Sequence, residues 1–376
     1  MPAIKRVGII GYGMMGKHWA PIVAAHPCTD LVAVADVCAE AREEAERAHG
    51  CKVFSSAEEI FRMPLSLDVV IIATHVTWHH YHALLALEDG CHVICEKPMA
   101  QSLRECDDMV LVAEEENLKL AIHHQSVFSR ATDRVREIIR NGNLGELYFL
   151  RGVGKGRRSD SDLMEIAGHL LHMIRTFAGE DAVRVFGDVT ENGRPVTIQD
   201  AGRVQDRYTQ GRDSGIGAGN RAFGYWEFPS GIRAELLLHE IKNAPATFGE
   251  QRNCGYYVEL LFTNGRLEFY LPQTLFMNGA PLNDLKYRGT PSQELSPEYR
   301  QDKDPVLSKL FLDDFIHAID TDTAPYVSGR DGLAVMEMSL GIYESHLKGM
   351  PIALPSIKRT HPFHIEPFAP FKTLSR

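Results

Sequence analysis

The sequence predicts an α/β chain: an N-terminal doubly wound parallel sheet over residues 1–122, an α+β domain with an open, largely antiparallel sheet over 123–350, and an extended tail over 351–376. Three observations carry this. Strand-like and helix-like stretches alternate up to residue 122, as parallel strands joined by crossover helices require. A glycine turn, Gly11-Tyr12-Gly13-Met14-Met15-Gly16, lies between the first apolar strand and the first helical stretch. Further on, short strands are parted by turns such as Pro229-Ser230-Gly231 and Thr263-Asn264-Gly265, the second with the Asn-Gly hairpin signature.

Taken in order, Val7-Gly8-Ile9-Ile10 is a strand that runs into the glycine turn. Gly11 allows the tight turn, Gly13 lets backbone approach a pyrophosphate, and Gly16 lets the helix pack on the strand. Phosphates would then meet the unpaired N–H groups and positive dipole end of the new helix, next to Tyr12, Met14 and Met15. Leu31 to Ala35 is the second strand and ends in Asp36, at the spacing of a ribose-binding carboxylate. A carboxylate accepts from a ribose 2'-OH and repels a 2'-phosphate, and neither Val37 nor Cys38 supplies a cation, so NAD is favoured over NADP. Asp36 can also cap the helix that begins near Ala39.

The alternation then continues. Ala39 to His49 is a charged helix and Lys52-Val53-Phe54 a short strand. Ser55 to Glu59 opens a helix with a capping box. Leu67 to Thr74 is a buried strand, Tyr81 to Asp89 a helix closed by Gly90, His92 to Pro98 a strand, Ser102 to Asn117 a helix, and Lys119 to Ile122 the last strand. Beyond it, helices are expected at Ala131 to Asn141 and Leu163 to Phe177, with a strand at Glu146 to Arg151 between them. Strands are expected at 183–190, 221–228, 233–240, 256–262 and 266–270, and helices at 306–320 and 332–348. The glycine-rich stretch Gln205 to Asn220 reads as a flexible loop.

Composition narrows the function classes. The 376 residues are 44% hydrophobic with a net charge of −10, and both signs are interspersed, so neither nucleic acid nor a membrane surface is an expected partner. No apolar run approaches the length of a bilayer span and no signal peptide precedes the first strand, so the cytoplasm is the expected location. The seven cysteines form no C-x-x-C pair and read as reduced thiols. The His75 to His79 spacing can bring two imidazoles together on a helix, but no cysteine or carboxylate nearby completes a zinc site, and no metal is expected.

Lys97 lies at the carboxyl end of a parallel strand, the edge where ligands of open α/β sheets bind, and Pro98 after it allows a cis peptide that aims the side chain. With Glu96-Lys97-Pro98 on the page, the chain resembles the Gfo/Idh/MocA oxidoreductases, founded on glucose-fructose oxidoreductase and inositol dehydrogenase. The glycine turn, Ala73-Thr74 with His79 five residues on, Gly142-Asn143-Leu144-Gly145 and the late helix ending Glu344 to Gly349 match as well. The resemblance implies a Rossmann domain with Thr74, His79, Glu96 and Lys97 at the cofactor, an open sheet that often forms an oligomer interface, and an active site between the domains. It also implies that Lys97 touches both nicotinamide and substrate. The family's Asp-x-x-x-His signature corresponds to Glu165-Ile166-Ala167-Gly168-His169, a spacing that puts both side chains on one helical face. The chain departs in having Glu165 for aspartate, His75 for proline, His172 for aspartate, and Arg157-Arg158-Ser159-Asp160-Ser161-Asp162 for a glycine run.

These readings give an expected chemistry: reversible oxidation of a secondary alcohol on a sugar, glycoside or cyclitol, with hydride passing to NAD. A base is needed near the working pH, which histidine meets unperturbed. His169 is assigned as base, and Lys97 as the cation that orients the hydroxyl and stabilises developing alkoxide; the two roles can be exchanged. Glu165 orients the imidazole or the amine. His124, Gln125, Lys155, Arg157, Arg158 and His172 are the expected substrate contacts, the basic trio suiting a carboxylated sugar. Two further readings are a redox-neutral cleavage or epimerisation through transient oxidation by retained NAD, and a non-catalytic NAD-dependent sensor. A homo-oligomer, dimer or tetramer, is expected.

Overall fold

The computed structural model describes residues 3–155, 163–205, 213–239, 257–271, 274–282 and 305–363. The first half is a six-stranded parallel sheet built from β1 (Lys5–Ile10), β2 (Thr29–Ala35), β3 (Lys52–Phe54), β4 (Val69–Ile72), β5 (His92–Cys95) and β6 (Leu120–Ile122). Their order is β3-β2-β1-β4-β5-β6, the doubly wound arrangement in which the direction of winding reverses between β1 and β4. Helices α1 (Met14–Ala25), α2 (Ala39–His49), α3 (Ala57–Arg62), α4 (Val76–Glu88) and α5 (Leu103–Glu115) make the connections. Val7, Ile9, Val70, Ile71, Val93 and Ile94 are fully buried, as both faces of a helix-covered parallel sheet demand.

Past β6, α6 (Arg130–Asn141) leads into β7 (Leu147–Lys155) and α7 (Leu163–Ala178). Then come β8 (Arg184–Glu191), β9 (Arg194–Pro195), β10 (Gly202–Gln205), β11 (Asp213–Gly217), β12 (Arg221–Glu227), β13 (Arg233–His239), β14 (Tyr257–Phe262), β15 (Gly265–Tyr270), β16 (Thr274–Met277) and β17 (Ala280–Pro281). Helices α8 (Pro305–Thr321) and α9 (Gly329–Lys348) and strand β18 (Ile352–Ala353) complete the described order. The large sheet runs β17-β16-β15-β14-β7-β13-β12-β8-β18, with β9 on β8, and is antiparallel except where β13 meets β7.

Its inner face buries Leu150, Trp226, Leu236, Leu260 and Leu267 toward α7 and α9. Contact with α9 is close: a Cβ on Gly187 of β8 would lie 2.2 Å from the Ile342 carbonyl, and Gly187 donates its N–H to Ser345 Oγ. The outer face carries a cross-strand row, Phe186, Tyr225, Glu235, Arg151, Glu259 and Glu268, with Arg151 ion-paired to Glu235 and Glu259.

Four local expectations are corrected. Helix α4 starts at Val76 rather than Tyr81, because His79 and His82 occupy core-facing positions between Val76 and Ala83 and their polar letters hid the helical period. Glu59 does accept from Ser55 N–H and Oγ, but the residue preceding α3 is Ser56 and its side chain makes no capping bond; reciprocal boxes occur instead at Ser102 with Glu105 and at Ser328 with Asp331. The stretch Gln205 to Asn220 is not simply a loop, since β11 pairs with β10 and Gly215 approaches Val76 at the head of α4. Residues 351–363 return to the fold: β18 joins the edge of β8, Phe363 is buried, and Arg359 bonds Asp107 of α5 and Glu337 of α9. No described helix is long and apolar enough to cross a membrane.

Candidate active site

The glycine turn has the geometry a bound dinucleotide needs. Gly11 takes φ +94°, and a Cβ there would lie 2.7 Å from the backbone of Ala73 at the end of β4. A Cβ on Gly16 would lie 2.0 Å from the Gly11 carbonyl, so only glycine lets α1 start this close to β1. Gly13 is the opposite case, with nothing within 4 Å of its Cβ position. It stands at the N-terminus of α1, where no side chain caps the helix and no acidic residue occupies the first turn, so the first N–H groups face outward for an anion. Asp36, half-buried at the end of β2, accepts from Tyr12 N–H at 2.6 Å and from Cys38 N–H at 2.8 Å. Its carboxylate is therefore fixed against the turn. The residue preceding α2 is Cys38, so Asp36 does not serve as that helix's side-chain cap.

At the next strand ends, the Lys97–Pro98 peptide is cis. His79 is buried with Nδ1 2.8 Å from Pro98 O and Nε2 3.1 Å from Thr74 O, so its ring braces the turns after β4 and β5 against each other. Burial pushes its pKa down against the pull of those carbonyls, and a neutral ring donates to one of them at a time. Thr74 Oγ1 lies 3.2 Å from His82 Nδ1, and burial holds His82 down at about 4. Glu96 is buried and accepts from Trp19 Nε1 at 2.9 Å, with His123 Nδ1 at 2.8 Å. Burial pushes its carboxyl up, but His123, the Trp19 bond and the Lys97 charge outweigh that and leave it below the ordinary carboxylate value.

Beyond β6 the chain brings three imidazoles together. His124 stacks on His172 with ring centroids 4.6 Å apart and meets His169 edge-on at 5.7 Å. Gly168 of α7 lies against the same ring, its Cβ position 3.5 Å from His124 Cε1, an ordinary contact distance. Burial holds His172 down at about 3 and His124 well below its ordinary value, the latter helped by His172 and by the charge of Lys97. His124 Nδ1 and His172 Nδ1 are buried without a hydrogen-bond partner among the described residues. Two neutral rings thus hold polar atoms ready for a ligand beside His169 and within the field of Lys97.

The structure therefore gathers His124, His169 and His172, with the charge of Lys97 felt at His124, while Gln125 follows His124 in a buried turn. Glu165 lies on α7 one turn before His169. Lys155 ends β7, and Arg157 and Arg158 fall outside the described residues. Among the described residues no group of three or more histidine, cysteine or carboxylate side chains is arranged to hold a metal ion. Sequence reasoning missed His123 and its partner Ser308 of α8; the available signal was the pair His123-His124, whose neighbouring positions at a strand end face opposite sides.

Residues 5–124 match the model of an oxidoreductase family with an NAD-binding Rossmann fold, GFO_IDH_MocA. The chain is 34% identical over 198 residues to D-glucoside 3-dehydrogenase of Escherichia coli K12, covering 48% of this chain and 55% of that protein. It is 27% identical over 278 residues to 2,7-anhydro-N-acetylneuraminate hydratase of the same strain, covering 71% of this chain and 68% of that one. In fold it is similar to levoglucosan dehydrogenase, solved with NADH and levoglucosan, at TM-score 0.74 and 20% identity over 94% of this chain and 100% of the other. The match to the glucoside dehydrogenase thus spans little more than half of that relative's length.

Proposed function

We propose, from the match of residues 5–124 to the Gfo/Idh/MocA oxidoreductase model, that this chain oxidises a secondary alcohol of a sugar, glycoside or cyclitol to a ketone, and runs the reverse, with NAD as the redox partner. The observation that carries this reading is the cluster of the His124, His169 and His172 imidazoles, with the Lys97 charge acting on His124. The glycine turn and the uncapped start of α1 fit the pyrophosphate, and Asp36 fits the ribose and disfavours a 2'-phosphate. Bound there, NAD would supply the hydride acceptor.

The protein's own groups handle the proton. His169 takes it from the substrate hydroxyl, and the Lys97 ammonium holds that oxygen and stabilises the negative charge that develops on it. His124 and His172, held neutral, offer uncharged donors and acceptors to the remaining hydroxyls, and their unpartnered Nδ1 atoms would otherwise cost roughly 1–3 kcal/mol each to bury. Glu165 is assigned the orienting role on the same helical face. The open outer face of the large sheet is the surface on which a second copy would pair.

Lys97→Ala is expected to lower turnover roughly 10²- to 10⁴-fold while NAD binding, followed by calorimetry, is retained. Turnover like that of the unaltered protein would remove Lys97 from the reaction. A second reading, in which oxidation is transient and the hydride returns to product, draws on the relative named a hydratase that aligns with 71% of this chain. It is separated from the first by product forming without net NADH.

A further inference from the structure

Choice between NAD and NADP is made at the 2'-oxygen of the adenosine ribose, where a carboxylate accepts from a hydroxyl and a nearby arginine takes a phosphate. The chain carries both groups at the end of β2. Asp36 Oδ2 accepts from Tyr12 N–H at 2.6 Å and Oδ1 from Cys38 N–H at 2.8 Å, which pins the carboxylate against the glycine turn. Arg42, near the start of α2, folds back and donates from Nη1 to the Asp36 carbonyl at 2.8 Å. It is half-buried, and its side chain makes no other hydrogen bond among the described residues. A guanidinium carries more donors than one carbonyl can accept, so the rest remain for an anion. The carboxylates that feel its charge bond elsewhere: Glu40 of α2 accepts from the Cys38 thiol at 2.9 Å, and Glu59 of α3 accepts from Ser55 N–H and Oγ.

We propose that the Asp36 carboxylate is what keeps NADP out, and that Arg42 is a latent ligand for the 2'-phosphate, so that removing one carboxylate turns the site toward NADP with no cation added. The inference rests on the dinucleotide reading above and names the residues that set its selectivity. Its physics is a balance of charge. With Asp36 present, repulsion between carboxylate and phosphate offsets the pull of the guanidinium. With the carboxylate gone, Arg42 is left facing the ribose-binding position, and a guanidinium suits phosphate because it can donate two parallel bonds. Val37, exposed between β2 and α2, adds no charge, and Glu40 is the acidic residue in the first turn of α2. An arginine that merely held the β2–α2 turn would leave phosphate affinity unchanged when replaced.

Calorimetry with NAD, NADP and adenosine 2',5'-bisphosphate, a probe that carries the 2'-phosphate without nicotinamide, reads this without substrate or turnover. The unaltered protein is expected to bind NAD at least about tenfold more tightly than NADP. Asp36→Ser, which keeps a hydroxyl to accept a backbone N–H, should weaken NAD and tighten NADP and the bisphosphate at least about tenfold. Added salt should erode that gain, because the new contact is an ion pair near the surface. In the Asp36→Ser protein, Arg42→Gln can still donate to the residue 36 carbonyl but has no charge, and it should remove the gain; Arg42→Lys, which keeps the charge, should retain part of it. A gain that survives Arg42→Gln, or no gain in Asp36→Ser, overturns the assignment of Arg42. A parent that binds NADP as tightly as NAD overturns Asp36 as the gate. Binding of none of the three compounds by the unaltered protein would instead overturn the dinucleotide reading on which the inference rests.

Discussion

Gly13 and Gly16 sit three residues apart and lack a side chain for opposite reasons. A methyl at Gly16 meets the Gly11 carbonyl, whereas a methyl at Gly13 meets open space where a pyrophosphate would lie. Gly16→Ala is therefore expected to cost roughly 1–3 kcal/mol of folding stability, as overpacking does. Gly13→Ala is expected to melt like the parent yet bind NAD at least about tenfold more weakly, or ~1.4 kcal/mol. Denaturation and calorimetry on the two variants check this, and equal behaviour would contradict the assignment of the turn. These residues were legible in the sequence because their roles are local: strand, turn, helix and carboxylate follow within one βαβ unit. The brace made by His79, the Glu96–His123 pair and Ser308 were not, because each partner arrives from a different element, Ser308 from 185 residues beyond His123.

At the scale of elements, periodicity located most helices and strands to within a few residues, and its failures share a cause. Where polar side chains are buried, as His79 and His82 are in α4, the apolar period that announces a helix is lost. Where a strand owes its existence to a partner, as β11 does to β10 and β18 to β8, nothing in its own letters announces it. The segment after α9 illustrates the second case. Its proline-rich sequence suggests an extended tail, yet Arg359 bonds Asp107 of α5 and Glu337 of α9, and Ser356 bonds Glu337 and Glu344. Removing the guanidinium leaves Glu337 buried without its cation. Arg359→Ala is expected to destabilise the fold by about 1.5–3 kcal/mol in urea denaturation, the range for hydrogen bonds to charged groups. A loss below a few tenths would mean the segment is held by β18 and Phe363 alone.

For the molecule as a whole, buried histidines set the response to acid. Burial holds His82 at about 4 and His172 at about 3, and lowers His79, His92 and His124 too. A histidine of the unfolded chain protonates near its ordinary value of about 6.5. Below that pH the unfolded state binds protons that the folded state refuses, so this stability is complete above about 6.5 and is lost as pH falls toward the folded values. Each such histidine contributes a slope of about 1.4 kcal/mol per pH unit in that window. His82→Asn is expected to flatten the fall in stability between pH 6 and 4.5 by about one proton, read from urea midpoints across the range. An unchanged slope would mean that His82 titrates alike in both states.

The glycine turn, Asp36, Lys97 and the histidines against α7 are the grounds for the central proposal, that this chain moves a hydride between a carbohydrate or cyclitol alcohol and NAD. The most direct measurement is the absorbance of reduced nicotinamide while the purified protein and NAD are offered monosaccharides, glycosides, cyclitols and uronic acids, with Lys97→Ala alongside. The account predicts NADH accumulating with one of these classes, and roughly 10²- to 10⁴-fold more slowly with the Lys97 variant. No NADH and no altered product from any class, in protein that binds NAD, would contradict it.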